Sequence, residues 1–386
     1  MKKIVSIALI FFTLVFVFQT NAQEKEAKSI SYNSAAEIML KNSNTIKKQK
    51  QSEKKAFFQY NNFIQSSRGI STDGMTVDTP FGEMKFKYPK NLQVLLMMRR
   101  EFYPVQMKYG WDMAVKGSGI TESALKTGLR DLYLGFMKAD MDYDLGLKKL
   151  DLAVRKYEIS KLKLERGLIS QIEFDEAEYE YLKAQKDSDA SKRNRENMQR
   201  SLNSFLGVPV DTVYEKALYE EMNIRNEIKS VDYYVEKALK ERLETISPAE
   251  EIKLKELYMS ISARNDAHLI YTDIRKEYEK AADDIESLKV KLEKAKLDVE
   301  NNIKSAYIDV KKESYNVQNM AKNVSMQKRS FDKMKSQYDQ GLVPKIALDE
   351  YEIAIKELQN SFDLVVYMYN TKVMKLNEAA GLGPAY

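Results

Sequence analysis

Histidine and cysteine, on which many metal sites and nucleophilic mechanisms depend, are nearly absent from this chain. His268 is the only histidine in 386 residues and cysteine is absent, so neither a histidine-rich nor a thiolate zinc site can form. No Ser-His-acid triad is evident, and no glycine-rich phosphate-binding loop is present. The adjacent carboxylates Asp283 and Asp284 fall in a highly charged segment and are predicted to be solvated. The sequence therefore predicts neither an enzyme nor a bound metal or cofactor.

More informative are the carboxylates that follow a glycine at two places in the chain. Residues 165–176 and 339–350 match without a gap at a shift of 174, which brings Gly167 onto Gly341. The same shift brings Gly207 onto Gly381. Because the chain has only 14 glycines, two pairs at one offset indicate a duplicated unit.

The segments on either side of the matching glycines have the periodicity of long helices. Apolar residues recur every three or four positions in four segments, 125–164, 172–206, 285–338 and 346–380. A glycine readily ends a helix, because it can adopt the left-handed conformation. We therefore predict an all-α fold of long antiparallel helical hairpins in two internal repeats, with their tips at Gly167 and Gly341 and with one short β-hairpin elsewhere.

A second offset locates that β-hairpin. Residues 39–46 align with 239–246 at a shift of 200, which leaves 26 extra residues in the first repeat. The composition changes over 69–98, where alternating residues flank a Pro-Phe-Gly turn. The predicted divisions of the chain are a signal peptide, a first helical repeat with the hairpin insertion, a connector and a second helical repeat, at 1–22, 23–206, 207–230 and 231–386.

The first 22 residues have the pattern of a secretory signal peptide. Lys2 and Lys3 precede an apolar run over 4–18, and small residues over 20–22 form a cleavage site. The apolar run is shorter than the roughly 20 residues that a membrane-spanning helix needs, which favours cleavage over an uncleaved anchor. We therefore expect an exported protein of the cell envelope, in the outer membrane, in the periplasm or at the cell surface. Basic and acidic residues, 62 and 57 in number, are mixed along the chain, which gives no case for nucleic acid.

The two tips resemble those of the TolC family of outer-membrane efflux proteins. They read Leu164-Glu-Arg-Gly-Leu-Ile-Ser170 and Tyr338-Asp-Gln-Gly-Leu-Val-Pro344. The resemblance implies a homotrimer in which the helices of three protomers form a hollow α-barrel. It also implies that the tips dock an extracytoplasmic adaptor protein of an inner-membrane pump. The tip residues assigned to docking in this way are Arg166, Gly167, Leu168, Ser170, Gln340, Gly341, Leu342 and Pro344.

The resemblance also assigns a role to the carboxylates beyond the tips. Some family members carry acidic residues at the sixth and ninth positions after the tip glycine, where they face the pore constriction. Here those positions hold Glu173 and Glu176 in the first repeat, and Ala347 and Glu350 in the second. Glu173, Glu176 and Glu350 from several copies would then form a constriction that prefers cations, because clustered carboxylates attract them. The alternative is that each is a solvent-facing helix residue.

The chain departs from the family in its strands. Family members supply a strand pair from each repeat to a β-barrel in the outer membrane, whereas this sequence predicts one short hairpin in the first repeat and none in the second. It therefore resembles a divergent member without a full β-barrel. Two functions fit the sequence. The first is a passive export duct of an efflux or secretion system, and the second is an extracytoplasmic coiled-coil scaffold or spacer without a lumen. A duct must be a closed ring, whereas a scaffold can be a monomer or dimer.

Overall fold

The computed structural model describes residues 29–217 and 228–381, and the predicted signal peptide lies outside them. The first repeat contains, in chain order, α1 (Tyr32–Asn42), α2 (Asn44–Ser67), β1 (Gly74–Thr79), β2 (Gly82–Lys87), α3 (Lys90–Met97), α4 (Tyr103–Glu165) and α5 (Gln171–Leu206). The second contains α6 (Val231–Glu241), α7 (Leu243–Ser262), α8 (Ala267–Ile270), α9 (Thr272–Asp339) and α10 (Lys345–Gly381). The predicted all-α fold with a single short β-hairpin is confirmed over the described part of the chain. No helix there has the length and hydrophobicity of a membrane span.

The two longest helices begin earlier than the apolar periodicity predicts. Helix α4 has 63 residues and α9 has 68, which corresponds to lengths of about 95 and 100 Å at about 1.5 Å per residue. The early part of α4 contains Gly110, Gly117 and Gly119, and glycine lowers helix propensity. That part nevertheless stays helical because it packs between α2 and α7, so that tertiary contacts outweigh local propensity.

Five glycines of α4 lie on one face of the helix, at alternating intervals of seven and eleven residues: Gly110, Gly117, Gly128, Gly135 and Gly146. Eighteen residues make five turns at about 3.6 residues per turn, so such a pattern stays in line. A Cβ atom at Gly146 would lie 2.9 Å from the Ser191 hydroxyl, and one at Gly128 would lie 3.2 Å from the Phe205 ring. Glycine at these two positions therefore allows α5 to approach α4 closely.

The four long helices form a single layer. Helix α5 packs on α4, α4 on α10, and α10 on α9, so that α5 and α9 are the two edges. Beyond the ends of α5 and α10, α2 packs on α4, and α7 packs on α9 and α4. The layer thus continues past the middle of the molecule, away from the tips.

Two apolar cores lie near the middle of the layer. One is formed where α1 packs on α4 and α5 and includes Met39, Tyr133 and Phe136; the other is formed where α6 packs on α9 and α10 and includes Ile303 and Leu376. The two hairpins are joined near these cores by a bidentate ion pair. Arg130 of α4, which is buried, donates hydrogen bonds of 2.8 and 2.5 Å to the carboxylate of Glu378 on α10.

The end of the layer opposite the tips differs between the repeats. In the first repeat, β1 and β2 form an antiparallel hairpin inside the predicted insertion, and a π-helical turn (Met98–Phe102) then joins α3 to α4. In the second repeat, a short 3-10 turn and α8 connect α7 to α9. Asn265 and Asp266 in this connection both have positive φ, at 57° and 55°. A tight reversal therefore replaces the strand pair.

Candidate functional site

The two predicted tips have the same backbone geometry. Gly167 and Gly341 have φ of 69° and 74°. At the first tip, the N–H of Gly167 donates to the carbonyl of Leu164 and that of Leu168 donates to the carbonyl of Lys163, each at 2.8 Å. This is a Schellman ending, in which a residue in the left-handed conformation terminates the helix.

The second tip repeats these hydrogen bonds. The N–H of Gly341 donates to Tyr338 and that of Leu342 donates to Gln337, again at 2.8 Å each. The leucine after each glycine is turned outward, since Leu168 is 68% exposed and Leu342 is 70% exposed. The turns therefore present an apolar side chain at the extreme end of each hairpin, together with the exposed Arg166 and Gln340 beside the glycines.

The tips differ in how the next helix begins. At the first tip, Ser170 and Glu173 form a capping box, in which the Ser170 hydroxyl accepts from the N–H of Glu173 and the Glu173 carboxylate accepts from the N–H of Ser170 at 2.7 Å. At the second tip the corresponding residues are Pro344 and Ala347. Proline has neither an N–H nor a hydroxyl, so a carboxylate at 347 would have no such partner.

This difference gives a local reason for the incomplete acidic pattern. Glu173 is placed to close the first turn of α5, and its pKa is lowered mainly by hydrogen bonds from the backbone and hydroxyl of Ser170. The carboxylate is therefore ionised and held at the cap. Its assignment to a pore constriction remains a prediction, but capping by itself accounts for a glutamate at position 173 and for its absence at 347.

The three candidate pore carboxylates line one groove. Glu173 and Glu176 of α5 and Glu350 of α10 border a space of about 1020 Å³, which is lined by residues of α4, α5 and α10. They therefore belong to one face of the helical layer, although they come from different repeats. Glu176 has no hydrogen-bond or ion-pair partner among the described residues, whereas Glu350 forms an ion pair with Lys156.

The groove also contains lysines to which the sequence pattern assigns no role. Lys149, Lys156 and Lys163 follow one another on α4 at intervals of seven, and Lys149 pairs with Glu357 of α10 at 3.0 Å. Seven acidic residues and four lysines line the groove, a formal net charge of −3. The sequence shows the spacing of seven between these lysines. That the lysines face the same groove as the glutamates follows only from the packing of α4 against α5 and α10.

The two repeats share an aspartate eight residues after the tip glycine, Asp175 in the first and Asp349 in the second, and its surroundings differ between them. Asp349 is nearly buried, and its carboxylate accepts from Arg155 of α4 and from Lys345, each at 2.7 Å. Asp175, the matching residue, is exposed and accepts a hydrogen bond from Gln171. The repeat therefore keeps the residue type, but only Asp349 joins the two hairpins.

The edge helices carry exposed apolar side chains. On α9 these recur at alternating intervals of seven and eleven residues, and they are Val290, Leu297, Ile308, Tyr315 and Met326. On α5 they are Ile172, Tyr179 and Leu182. The α9 spacing keeps its side chains on one face of a straight helix for about 54 Å. Each edge of the layer thus has an apolar surface that no helix of the described chain covers.

Of the remaining sequence candidates, Asp283 is exposed, whereas Asp284 and His268 contact other side chains. Asp284 pairs with Lys255 at 2.6 Å, and the His268 ring stacks on Tyr278 with 4.7 Å between centroids. Within the described residues no group of histidine and acidic side chains could hold a metal ion.

No protein-family model and no curated protein matches the chain. Among solved structures, it is similar to the CmeC outer membrane channel of Campylobacter jejuni, with a TM-score of 0.62 and 15% identity over 92% of this chain and 86% of that one. It is similar to the outer membrane protein VceC of Vibrio cholerae, with a TM-score of 0.57 and 11% identity over 92% and 96%. It is also similar to the open state of the MtrE channel of Neisseria gonorrhoeae, with a TM-score of 0.54 and 10% identity over 92% and 89%.

These similarities show the fold. The chain has the fold of the TolC-family channels, as the tips and the internal repeat predict. The structures of CmeC and MtrE are those of outer membrane channels, and VceC is an outer membrane protein.

Proposed function

We propose that this chain is a cell-envelope component of an efflux or secretion system. Three copies close into a ring and form a passive export duct, whose tips dock an adaptor protein and, through it, an inner-membrane pump. The fold shared with outer membrane channels supports this function at a coarse level. The closure, the docking and the export route are inferences from this chain's own surfaces.

The observation that carries the proposal is the single helical layer with two uncovered apolar edges. A layer buries both edges with a single kind of contact only if α5 of one copy packs on α9 of the next, since the two edges belong to different helices. Such a head-to-tail contact generates a ring when its rotation closes. A contact between identical edges would give a two-fold dimer and would leave the other edge exposed.

One exposed side chain on each edge lies at the same distance from the tips. Leu182 of α5 lies 15 residues after Gly167, and Met326 of α9 lies 15 residues before Gly341. Both are therefore about 22 Å from the tips at about 1.5 Å per residue. Ring closure with the tips at one level would place them against each other.

The groove supplies a polar inner face for the duct. Glu173, Glu176 and Glu350 line it, but it also contains lysines, one of which pairs with Glu350. The net negative charge favours cations, and the lysines reduce that preference below what three free carboxylates per copy would give. The charge of the groove therefore does not limit the exported molecules to small cations.

The tips supply the docking surface. Leu168 and Leu342 are exposed at turns whose backbone is fixed by hydrogen bonds, so binding a partner would bury apolar area at little cost in ordering the turn. We place the mature protein in the cell envelope, exported by the signal at 1–22, at the outer membrane or in the periplasm.

The mass of the purified mature protein by light scattering, with and without detergent, tests the proposal. A trimer in either condition supports the duct. A monomer in both conditions, at concentrations where an adaptor still binds, contradicts the duct and leaves the coiled-coil scaffold.

A further inference from the structure

The β-hairpin at the end opposite the tips is amphipathic and has an uncovered apolar face. In the register of β1 and β2, Met75 pairs with Phe86 and Val77 pairs with Met84. Side chains of alternate residues share a face of a strand, so these four lie together. The opposite face holds Thr76, Asp78, Glu83, Lys85 and Lys87. Met75, Met84 and Phe86 are exposed.

The tip of this hairpin extends the apolar surface. Phe81 stands in the turn between β1 and β2 and is 98% exposed, so nothing within the described chain covers it. An apolar ring at the tip of a two-stranded projection is poorly placed for packing inside the protomer. It is well placed to enter another apolar phase.

The second repeat adds exposed apolar residues at the same end. Leu269 and Ile270 of α8 are both more than half exposed, as is Leu95 of α3, and α3 packs on α8. Gln93 ties the parts together. Its amide donates to the carbonyl of Tyr88 at the base of the hairpin and accepts from Asn265 in the second repeat, each at 2.8 Å. Both repeats therefore contribute to one end surface.

Basic side chains outnumber acidic ones in the segment that carries the hairpin and α3. Residues 68–100 contain six Lys and Arg and three Asp and Glu, a formal net charge of +3. Of the six, Lys85, Lys87, Lys90 and Arg99 are exposed and make no ion pair within the described residues. Basic residues beside exposed apolar side chains are typical of surfaces that bind anionic lipids.

We infer that this end of the molecule binds an anionic lipid surface, with Phe81, the apolar face of the hairpin and the α8 residues entering the interface. The six-residue strands extend about 20 Å, which is less than the roughly 30 Å hydrocarbon core of a bilayer. The hairpin therefore suits the interface between headgroups and acyl chains.

A second copy is the competing occupant of this surface. The edges proposed to close the ring lie along the sides, on α5 and α9, and closure leaves every hairpin free at one end. A ring would then present several such surfaces to one membrane, which raises the overall affinity without any new contact. The inference rests on the proposed ring only for this increase, because a single protomer already has the surface.

Flotation of the mature protein with vesicles tests the inference. We expect binding to vesicles of phosphatidylethanolamine and phosphatidylglycerol, and weaker binding to pure phosphatidylcholine. Phe81→Ser with Leu269→Ser should lower binding about tenfold or more, because two apolar side chains no longer leave water. The matched control, Val210→Ser with Val213→Ser, removes two exposed apolar side chains from the middle of the molecule and should leave binding unchanged.

A third variant tests the charge. Lys85→Ala with Lys87→Ala should weaken binding to the anionic vesicles several-fold and leave binding to phosphatidylcholine unchanged. Circular dichroism should be the same for all variants, since every substituted side chain is exposed.

Three results would overturn the inference: absence of flotation with anionic vesicles, equal loss in the Val210/Val213 control, or a lower oligomer mass without lipid in the Phe81/Leu269 variant. The last would assign the surface to a second copy. Light scattering without lipid separates this inference from the duct, because a monomer that still floats contradicts the ring and supports lipid binding.

Discussion

The carboxylate of Glu173 accepts hydrogen bonds from both the backbone N–H and the hydroxyl of Ser170, at 2.7 and 2.9 Å. Ser170 in turn caps the first turn of α5. The pair closes the helix that leaves the first tip, and the second tip, with Pro344 and Ala347, has no equivalent. The two tips are therefore alike in how the incoming helix ends and unlike in how the outgoing helix begins.

Loss of this cap should loosen the start of α5 only. We expect Ser170→Ala to lower the opening free energy of the first turn by about 1 kcal/mol, because an N-cap hydroxyl is lost. The pKa of Glu173 is below its ordinary value of 4.5, so its contribution is present above pH 4.5 and is lost as pH falls through the lowered pKa. Hydrogen exchange at the N–H groups of Glu173 and Phe174, which donate to Ser170, measures both effects when followed against pH and corrected for the intrinsic exchange rate. The start of α10 is the internal control, and equal changes in both helices would contradict the capping role.

The exposed leucines of the tips should be needed for partner binding and not for folding. We expect Leu168→Asp with Leu342→Asp to leave helical content unchanged, because both side chains are largely exposed, and to abolish binding of the adaptor of the protein's own pump. Circular dichroism and adaptor pull-down measure the two effects. The control is Leu162→Asp, an exposed leucine on the side of α4. Retained capture by the double variant, or loss of its fold, would show that the leucines are structural.

The buried ion pair between the two hairpins should be important for stability. Glu378→Ala leaves the guanidinium of Arg130 buried without its carboxylate, which should cost about 3–5 kcal/mol. Lys375→Ala, three residues away, removes a more exposed pair with Asp131 at 3.4 Å and should cost less than about 1 kcal/mol. Urea unfolding followed by circular dichroism compares them. Similar losses in the two variants would contradict the role given to Arg130 and Glu378.

The glycines of α4 should differ in their response to a methyl group. At Gly110 an added Cβ meets nothing within 4 Å, so Gly110→Ala should stabilise the protein by about 0.5–1 kcal/mol through helix propensity. At Gly146 the Cβ would lie 2.9 Å from the Ser191 hydroxyl, which would have to rotate away from the Ser188 carbonyl to which it donates. Gly146→Ala should therefore be less favourable than Gly110→Ala by about 1 kcal/mol. The two midpoints of urea unfolding measure the contrast. An equal gain at both positions would mean that α5 is not closely packed at Gly146.

The sequence predicts the hairpins well because their signals are local. A glycine followed by leucine marks each tip, and helical periodicity marks the segments beside it. The sequence does not predict the start of α4, because Gly110 and Gly117 lower the helix propensity of a segment that packing on α2 and α7 keeps helical.

The surroundings of the candidate site residues depend on contacts between distant segments. The pairing of Lys156 with Glu350 joins residues 194 positions apart, and no local pattern specifies it. No local pattern specifies the exposure of the apolar face of α9 either. Only the packing order of the four long helices shows that no helix covers this face. Glu173 was open to a local explanation, since a serine three residues before a glutamate is the pattern of a capping box.

The most direct test of the proposed ring is crosslinking between its edges. The chain has no cysteine, so Leu182→Cys and Met326→Cys introduce the only thiols. With a short bis-maleimide, we expect the double variant to form covalent oligomers up to a closed trimer, and each single variant to stay monomeric on a denaturing gel. This result is expected because head-to-tail packing places Leu182 of one copy beside Met326 of the next, so that a crosslink needs both cysteines. Monomer only in the double variant, or a covalent dimer of either single variant, would contradict the ring.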